Sequence, residues 1–288
     1  MRSIPGTWRP RVTAIVPAYN SAGFIGQTLD CLASQTWGDL EILVGDDAST
    51  DRTLDVVRKF AEGRSNVSIV AHEVNLGWLA NSNDLMSRAS GELLFFAFHD
   101  DLVQPTYVER LVGALGGNPR AVLAFSDLDL LDADGERSPR VFEDLDDLHG
   151  RLARGLAMAK RPTNWWVAIH GVIRTSAARQ VGGLRLNEAG EYAADWPWMM
   201  HLALLGEFAR VPESLCVKTV REGSVSRSWD SGVENRRAAR KACVAEVRRS
   251  PLSWVEKILL IAEIRRSVPL PAKIRGATRR AFNRALRT

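Results

Sequence analysis

Four short apolar runs, each separated from the next by a stretch of helical period, limit what residues 11 to 97 can become. "RVTAIVPAYN", "LEILVGDD", "NVSIVAH" and "ELLFFAF" have the character of buried strands. Between them, residues 23 to 35 place Phe24, Ile25, Leu29 and Leu32 on one helical side, and "STDRTLDVVRKFAEG" and "WLANSNDLMSRAS" supply two further helices. The middle helix is expected to take Ser49 or Thr50 as its cap and Gly63 as its stop, with Asp51 in its first turn. Strands alternating with helices require crossover connections and therefore a parallel sheet. Ligands of such sheets bind beyond the carboxyl ends of the strands. Three polar clusters fall there: "PAYN", "GDDASTD" and "HDD".

The alternation stops after "AVLAFSDLDLLDADGERSP". Residues 140 to 165 are mixed and loop-rich, and the stretches "NWWVAIHGVIRTSAARQVGG" and "EYAADWPWMMHLALLGEFARVPESL" are expected to add one strand and two helices. A chain of 288 residues that is 45% apolar can bury a large α/β core. We expect one α/β domain over residues 1–230, with halves 11–105 and 106–230, and a helical C-terminal extension over 231–288. The extension holds 15 Lys/Arg against 4 Asp/Glu, leaving 23 against 30 elsewhere, so the net charge of +4 conceals an acidic body with a basic tail.

Cys31, Cys216 and Cys243 are far apart and odd in number, which suits neither a disulfide framework nor a paired-cysteine metal site. They read as reduced thiols of a cytosolic compartment. The N-terminal apolar stretch is too short and broken for a signal peptide, and no apolar run reaches the roughly 18 residues a membrane span needs. A cytoplasmic location is therefore expected. No base-reading module is visible, so no nucleic-acid partner is expected.

The polar strand ends carry the chemistry. Asp46 and Asp47 close the second run, where a carboxylate accepts from a nucleobase imide N–H or ribose hydroxyls. Tyr19 and Asn20 lie at the neighbouring strand end for the same task. A turn cap is the competing role for Asp47. Asp100 and Asp101 end an apolar run, where adjacent carboxylates repel and lose hydration. A divalent cation answers both problems: hard oxygen ligands with room for water suit Mg²⁺ or Mn²⁺, with phosphate oxygens completing the shell. A helix cap ahead of "PTYVERLVGAL" explains one aspartate and leaves the other.

Taken together, "VTAIVPAYNSAGFIGQTLDCLASQTWGDLEILVGDDASTD" and "NLGWLANSNDLMSRASGELLFFAFHDD" resemble the donor-binding half of family 2 glycosyltransferases of the GT-A fold, over residues 11 to 105 and more weakly to about 228. The resemblance implies a nucleotide-diphosphate-sugar donor, a divalent metal on its diphosphate, and inversion at the anomeric carbon. It implies that Pro17, Tyr19 and Asp47 frame the nucleobase, that His99 contacts the ribose, and that Asp100 ligates metal with Asp101 beside it. Residues 106–230 would then hold the acceptor, a saccharide or a lipid-linked sugar of bacterial cell-surface polysaccharide or glycoconjugate synthesis. The family commonly writes D-x-D-D where this chain has Phe98 in the first position, and Glu-Asp where it has Ala194 and Asp195.

Inverting transfer needs a base that removes the acceptor proton, and Asp195 is the candidate, with a helix cap as its structural alternative. Trp196, Trp198, Trp165 and Trp166 are better assigned to the core than to an acceptor sugar. "KTVREGSVSRSW" resembles the family's loop near the donor, which makes Arg221 a candidate phosphate contact. A nucleotidyltransferase would ordinarily show a Gly-rich basic loop, which "PAYNSAG" is not. A degenerate sugar-binding or scaffold protein is the non-enzymatic alternative, motivated by Phe98 and Ala194. In "AKIRGATRRAFNRALRT", Ile274, Phe282 and Leu286 recur at helical spacing among basic residues, as expected of a helix lying on anionic lipid. The alternative packs that face on the catalytic domain or on a second subunit, with "PLSWVEKILLIAEI" as the more buried partner.

Overall fold

A computed structural model describes residues 8–160, 164–221 and 232–266. Its first half is a strict alternation: β1 (Val12–Ala18), α1 (Ile25–Ala33), β2 (Leu40–Asp46), α2 (Thr53–Ala61), β3 (Val67–Ala71), α3 (Trp78–Arg88) and β4 (Leu93–Phe96). β1 pairs in parallel with β2 from Val12 opposite Leu40 to Ala18 opposite Asp46, and with β4 from Val12 opposite Leu93. β3 extends the parallel set beyond β2. Every residue of β1 and β4 is buried, which is why both runs are apolar without alternation.

The second half completes the sheet: β5 (Leu102–Val103), α4 (Tyr107–Gly117), β6 (Ala121–Leu131), β7 (Arg137–Arg140), α5 (Arg151–Ala159), β8 (Val172–Arg174), α6 (Thr175–Val181), α7 (Asp195–Leu205) and β9 (Glu207–Thr219). The order is β3-β2-β1-β4-β8-β6-β9-β5, with β7 on β6. β8 runs antiparallel between β4 and β6, whereas β9 runs parallel to β6. The result is a mostly parallel sheet with helices around it. Two further helices follow, α8 (Val233–Arg249) and α9 (Trp254–Arg266).

Several local expectations differ from the structure. α2 begins at Thr53, capped by neither Ser49 nor Thr50. The loop before it is tied across to β1 instead: Ser49 Oγ accepts the Asn20 N–H at 3.0 Å, and the Thr50 N–H donates to Asn20 Oδ1 at 2.8 Å. Asp51 takes over at the helix start by accepting the Thr53 N–H at 2.9 Å. The loop-rich stretch contains α5, and the two stretches expected to add one strand and two helices add two strands, β8 and β9, with α6 and α7.

α7 is buried on nearly every side, from Trp196 to Leu204, as its apolar circumference requires. α8 packs on it, and the buried Glu246 of α8 accepts from His201 Nδ1 of α7 at 2.8 Å. In "PLSWVEKILLIAEI" Leu252, Leu260 and Ile264 are buried and the rest is partly or largely exposed. The basic helix expected over 273–287 lies outside the described residues.

Candidate active site

The carboxyl ends of β1 and β2 form the first rim. Each strand leaves the sheet through a left-handed residue, Asn20 at φ +46° and Ala48 at φ +56°. Such conformations cost non-glycine residues about 1 kcal/mol or more, so the surrounding bonds must hold them. Asp47 is the centre of that holding. It is buried, its Oδ1 accepts the Leu76 N–H at 2.7 Å and its Oδ2 the Gly77 N–H at 2.9 Å. Gly77 adopts φ +86° and ψ +158°, a region essentially reserved for glycine, and a Cβ there would lie 2.7 Å from Glu191 Oε1.

Glu191 reaches back from the second half to accept the Leu79 N–H at 3.1 Å, satisfying one free donor at the start of α3. Burial pushes its carboxyl above the usual range, and the charge of Asp47 adds to the shift. Asp46 is buried beside it, with Oδ2 accepting from Ser49 N–H at 3.3 Å. Asn20 spends its side chain on Thr50, whereas the Tyr19 ring stays 43% exposed at the same strand end.

The second rim follows β4. His99 Nδ1 donates to the Pro17 carbonyl at 2.7 Å. A carbonyl only accepts, so the proton sits on Nδ1. The Phe24 ring lies 5.4 Å from the His99 ring, and the Arg221 guanidinium stands 4.3 Å over Phe24. Phe98 stacks on Phe96 and meets His170 edge-on at 5.2 Å.

Asp100 and Asp101 part company here. Asp101 is buried, 3.0 Å from His170 Nδ1 and 3.9 Å from Lys218 Nζ. The pairing of β5 with β9 sets Leu102 opposite Val217, which brings Lys218 alongside Asp101. Burial pushes the Asp101 carboxyl up, but Lys218 and His170 outweigh it and leave the group below its ordinary range. Asp100 is half-buried, and burial together with the Asp101 charge raises it. The Lys218 ammonium is pulled down by burial yet ends above its ordinary value, because Asp101, Asp100, Cys216 and Asp195 all bear on it.

Asp195 opens α7 one residue after Ala194 and two after Ala193, which is left-handed at φ +48°. Its Oδ1 accepts its neighbour's N–H, from Trp196, at 3.0 Å. Trp196, Trp198 and Trp165 are buried in the core, and Trp166 is partly buried against it. Sequence reasoning did not single out Glu191 or His170. Their roles depend on contacts 112 and 69 residues away, to Leu79 and Asp101, and no local pattern marks them.

Among the described residues, one group of three candidate metal ligands comes together: Asp101, His170 and Cys216, all buried. Burial and the Asp101 charge hold the Cys216 thiol well above its usual value, and Lys218 already supplies a cation beside it, so this trio fits packing better than metal. Asp100 differs: a hard carboxylate that remains half-exposed fits a divalent ion whose other ligands are phosphate oxygens and water. Asp101 does not complete a two-carboxylate cage, because it is directed to His170 and Lys218.

A parallel sheet with helices around it, acidic residues after β2 and β4, and a third carboxylate returning on α7 define a GT-A glycosyltransferase fold. Residues 13–129 match the model of glycosyl transferase family 2 and form a family 2 glycosyltransferase segment. S. aureus TarS (residues 1–349), solved in complex with UDP-GlcNAc, superposes with a TM-score of 0.69 at 20% identity, covering 89% of this chain and 72% of that one. The Pyrobaculum calidifontis mannosyltransferase PcManGT, solved with GDP-Man and Mn²⁺, gives 0.59 at 19% identity over 97% and 82%. A poly(ribitol-phosphate) beta-glucosyltransferase of Bacillus spizizenii is 35% identical over 96 residues, which are 32% of this chain and 15% of that protein. The chain spans less than two thirds of the length of the first curated relatives it matches. No helix among the described residues is long and apolar enough to cross a membrane.

Proposed function

We propose that this chain transfers a sugar from a nucleotide-diphosphate-sugar to an acceptor hydroxyl with inversion, assisted by Mg²⁺ or Mn²⁺. The observation that carries the reading is Lys218 Nζ 3.9 Å from the buried Asp101 in the loop after β4, where the charges of Asp100 and Asp195 also bear on the same ammonium. Donor recognition falls to the first rim, with the Tyr19 ring and the strand ends at Pro17, Asp46 and Asp47 flanking the base and His99 beside the ribose. Asn20 supports this rim through its bonds to the loop after β2. Asp100 would hold the divalent ion, which when bound neutralises charge on the diphosphate. Lys218 and Arg221 add positive charge to the same place.

Asp195 is the base. As the acceptor oxygen bonds to the anomeric carbon, the bond to the diphosphate oxygen breaks on the opposite face and the acceptor proton passes to the Asp195 carboxylate. The poly(ribitol-phosphate) glucosyltransferase relative supports an acceptor in cell-surface polymer synthesis, either a saccharide or a lipid-linked chain. The test is a panel of nucleotide-sugars scored first by thermal shift and then by release of nucleotide, with Mn²⁺ or with chelator. A donor that raises the melting temperature and is turned over only with metal supports the reading. Binding without turnover would mark a sugar-nucleotide scaffold, and no binding at all would overturn both.

A further inference from the structure

The exposed face of α9 is apolar where a surface helix is ordinarily polar. Trp254, Val255, Ile258 and Leu259 are 74%, 46%, 57% and 51% exposed, and Ala262 continues the same face. At 100° per residue they share an arc of about 140°. Leu260 and Ile264 anchor the opposite side in the core, so the outward arc is fixed by packing. The two acids of the helix border the arc and are engaged: Glu256 accepts from Ser253, and Glu263 pairs with Arg266 at 2.8 Å.

Charge points to what covers the arc. Arg265 and Arg266 close its C-terminal end. Arg265 also lines a hollow of about 410 Å³ between α8 and α9, together with Arg237, Arg240, Lys241 and Arg248. The one acid of that lining, Glu188, is bridged by Lys241. The 22 residues that follow α9 carry six Lys/Arg and no Asp or Glu. An apolar helix face carrying an exposed Trp and set against concentrated positive charge matches an anionic bilayer surface, with acyl chains beneath the arc and headgroup phosphates at the arginines.

We infer that α9 is the membrane-docking element of this protein and that its partner is an anionic phospholipid surface. Because α9 packs on α5 and α8, which both pack on α7, docking would fix the orientation of the helix that carries Asp195. The inference does not depend on the transfer reading, and its test has no catalytic readout.

The full chain is sedimented with vesicles of phosphatidylcholine alone or mixed equally with phosphatidylglycerol, at low and high salt. We expect salt-sensitive binding to the mixed vesicles only. The Trp254→Ser/Ile258→Ser variant should lose at least about tenfold in partitioning, since two large apolar side chains no longer leave water. Its thermal melt should be unchanged, because both positions are exposed in the folded chain. Undiminished binding by this variant would overturn the inference. So would a concentration-dependent dimer of the parent chain, seen by sedimentation velocity, that the same substitutions dissociate, since the arc would then cover a second copy.

Discussion

The two rims hold their carboxylates by different means. After β2, Asp47 is saturated by backbone amides of Leu76 and Gly77, and Asp51 by those of Ala22 and Thr53. After β4, Asp100 and Asp101 are balanced by the side-chain charges of Lys218, His170, His99 and Arg221. Amides are fixed in place and cannot leave, whereas side-chain cations move and are shared with a ligand. The first rim is thus a preformed frame, and the second is an electrostatic balance that an arriving diphosphate and metal would redistribute.

The largest effect belongs across from the second rim. Asp195→Asn keeps the volume of the side chain but removes its basicity, and should depress transfer by roughly two to four powers of ten. Donor affinity, followed by calorimetry, should stay within error of the parent. Loss of donor binding would instead assign Asp195 to the frame.

Next in size is the frame itself. Asp47→Asn turns an amide donor toward one of the Leu76 and Gly77 N–H groups, leaving that part-buried donor unpaired. A loss of about 3 kcal/mol in urea unfolding is expected, the upper range for a hydrogen bond to a charged group. An unchanged midpoint would mean the loop over residues 75–77 is not held by Asp47, and the contrast between the rims would fail.

The sharpest test separates two neighbours by the sign of small shifts in melting temperature. Asp100 has a raised pKa in the fold, so its ionisation costs stability at neutral pH and the cost disappears as pH falls. Asp101 has a lowered pKa, so its ionisation contributes stability above its unfolded pKa, lost as pH falls through the folded value. Asp100→Asn should therefore leave the melting temperature unchanged or higher while abolishing metal-dependent turnover, and Asp101→Asn should lower it by a few degrees. Melting shifts of the same sign for both variants would refute the division of labour.

Much of the first half of the sheet was legible from the sequence alone. A parallel sheet with polar strand ends at "PAYN", "GDD" and "HDD" follows from strand–helix alternation, because apolar runs buried on both faces admit few other arrangements. The assignment of the four tryptophans to the core follows from their setting in apolar stretches. The helix cap at Ser49 or Thr50 was misplaced because those residues bond across a loop to Asn20, 29 and 30 residues earlier in the chain, and propensity counts only neighbours.

What the sequence by itself determined was the order of strands and helices and the positions of the acids, since both are written in local periodicity and residue type. Tertiary structure alone decided which acid faces solvent. Asp100 and Asp101 are chemically identical and adjacent, and only the arrival of β9 with Lys218, and of the turn carrying His170, distinguishes them. It also decided that α9 shows its apolar arc outward, since a helical wheel gives the faces of a helix but not which of them the rest of the chain covers.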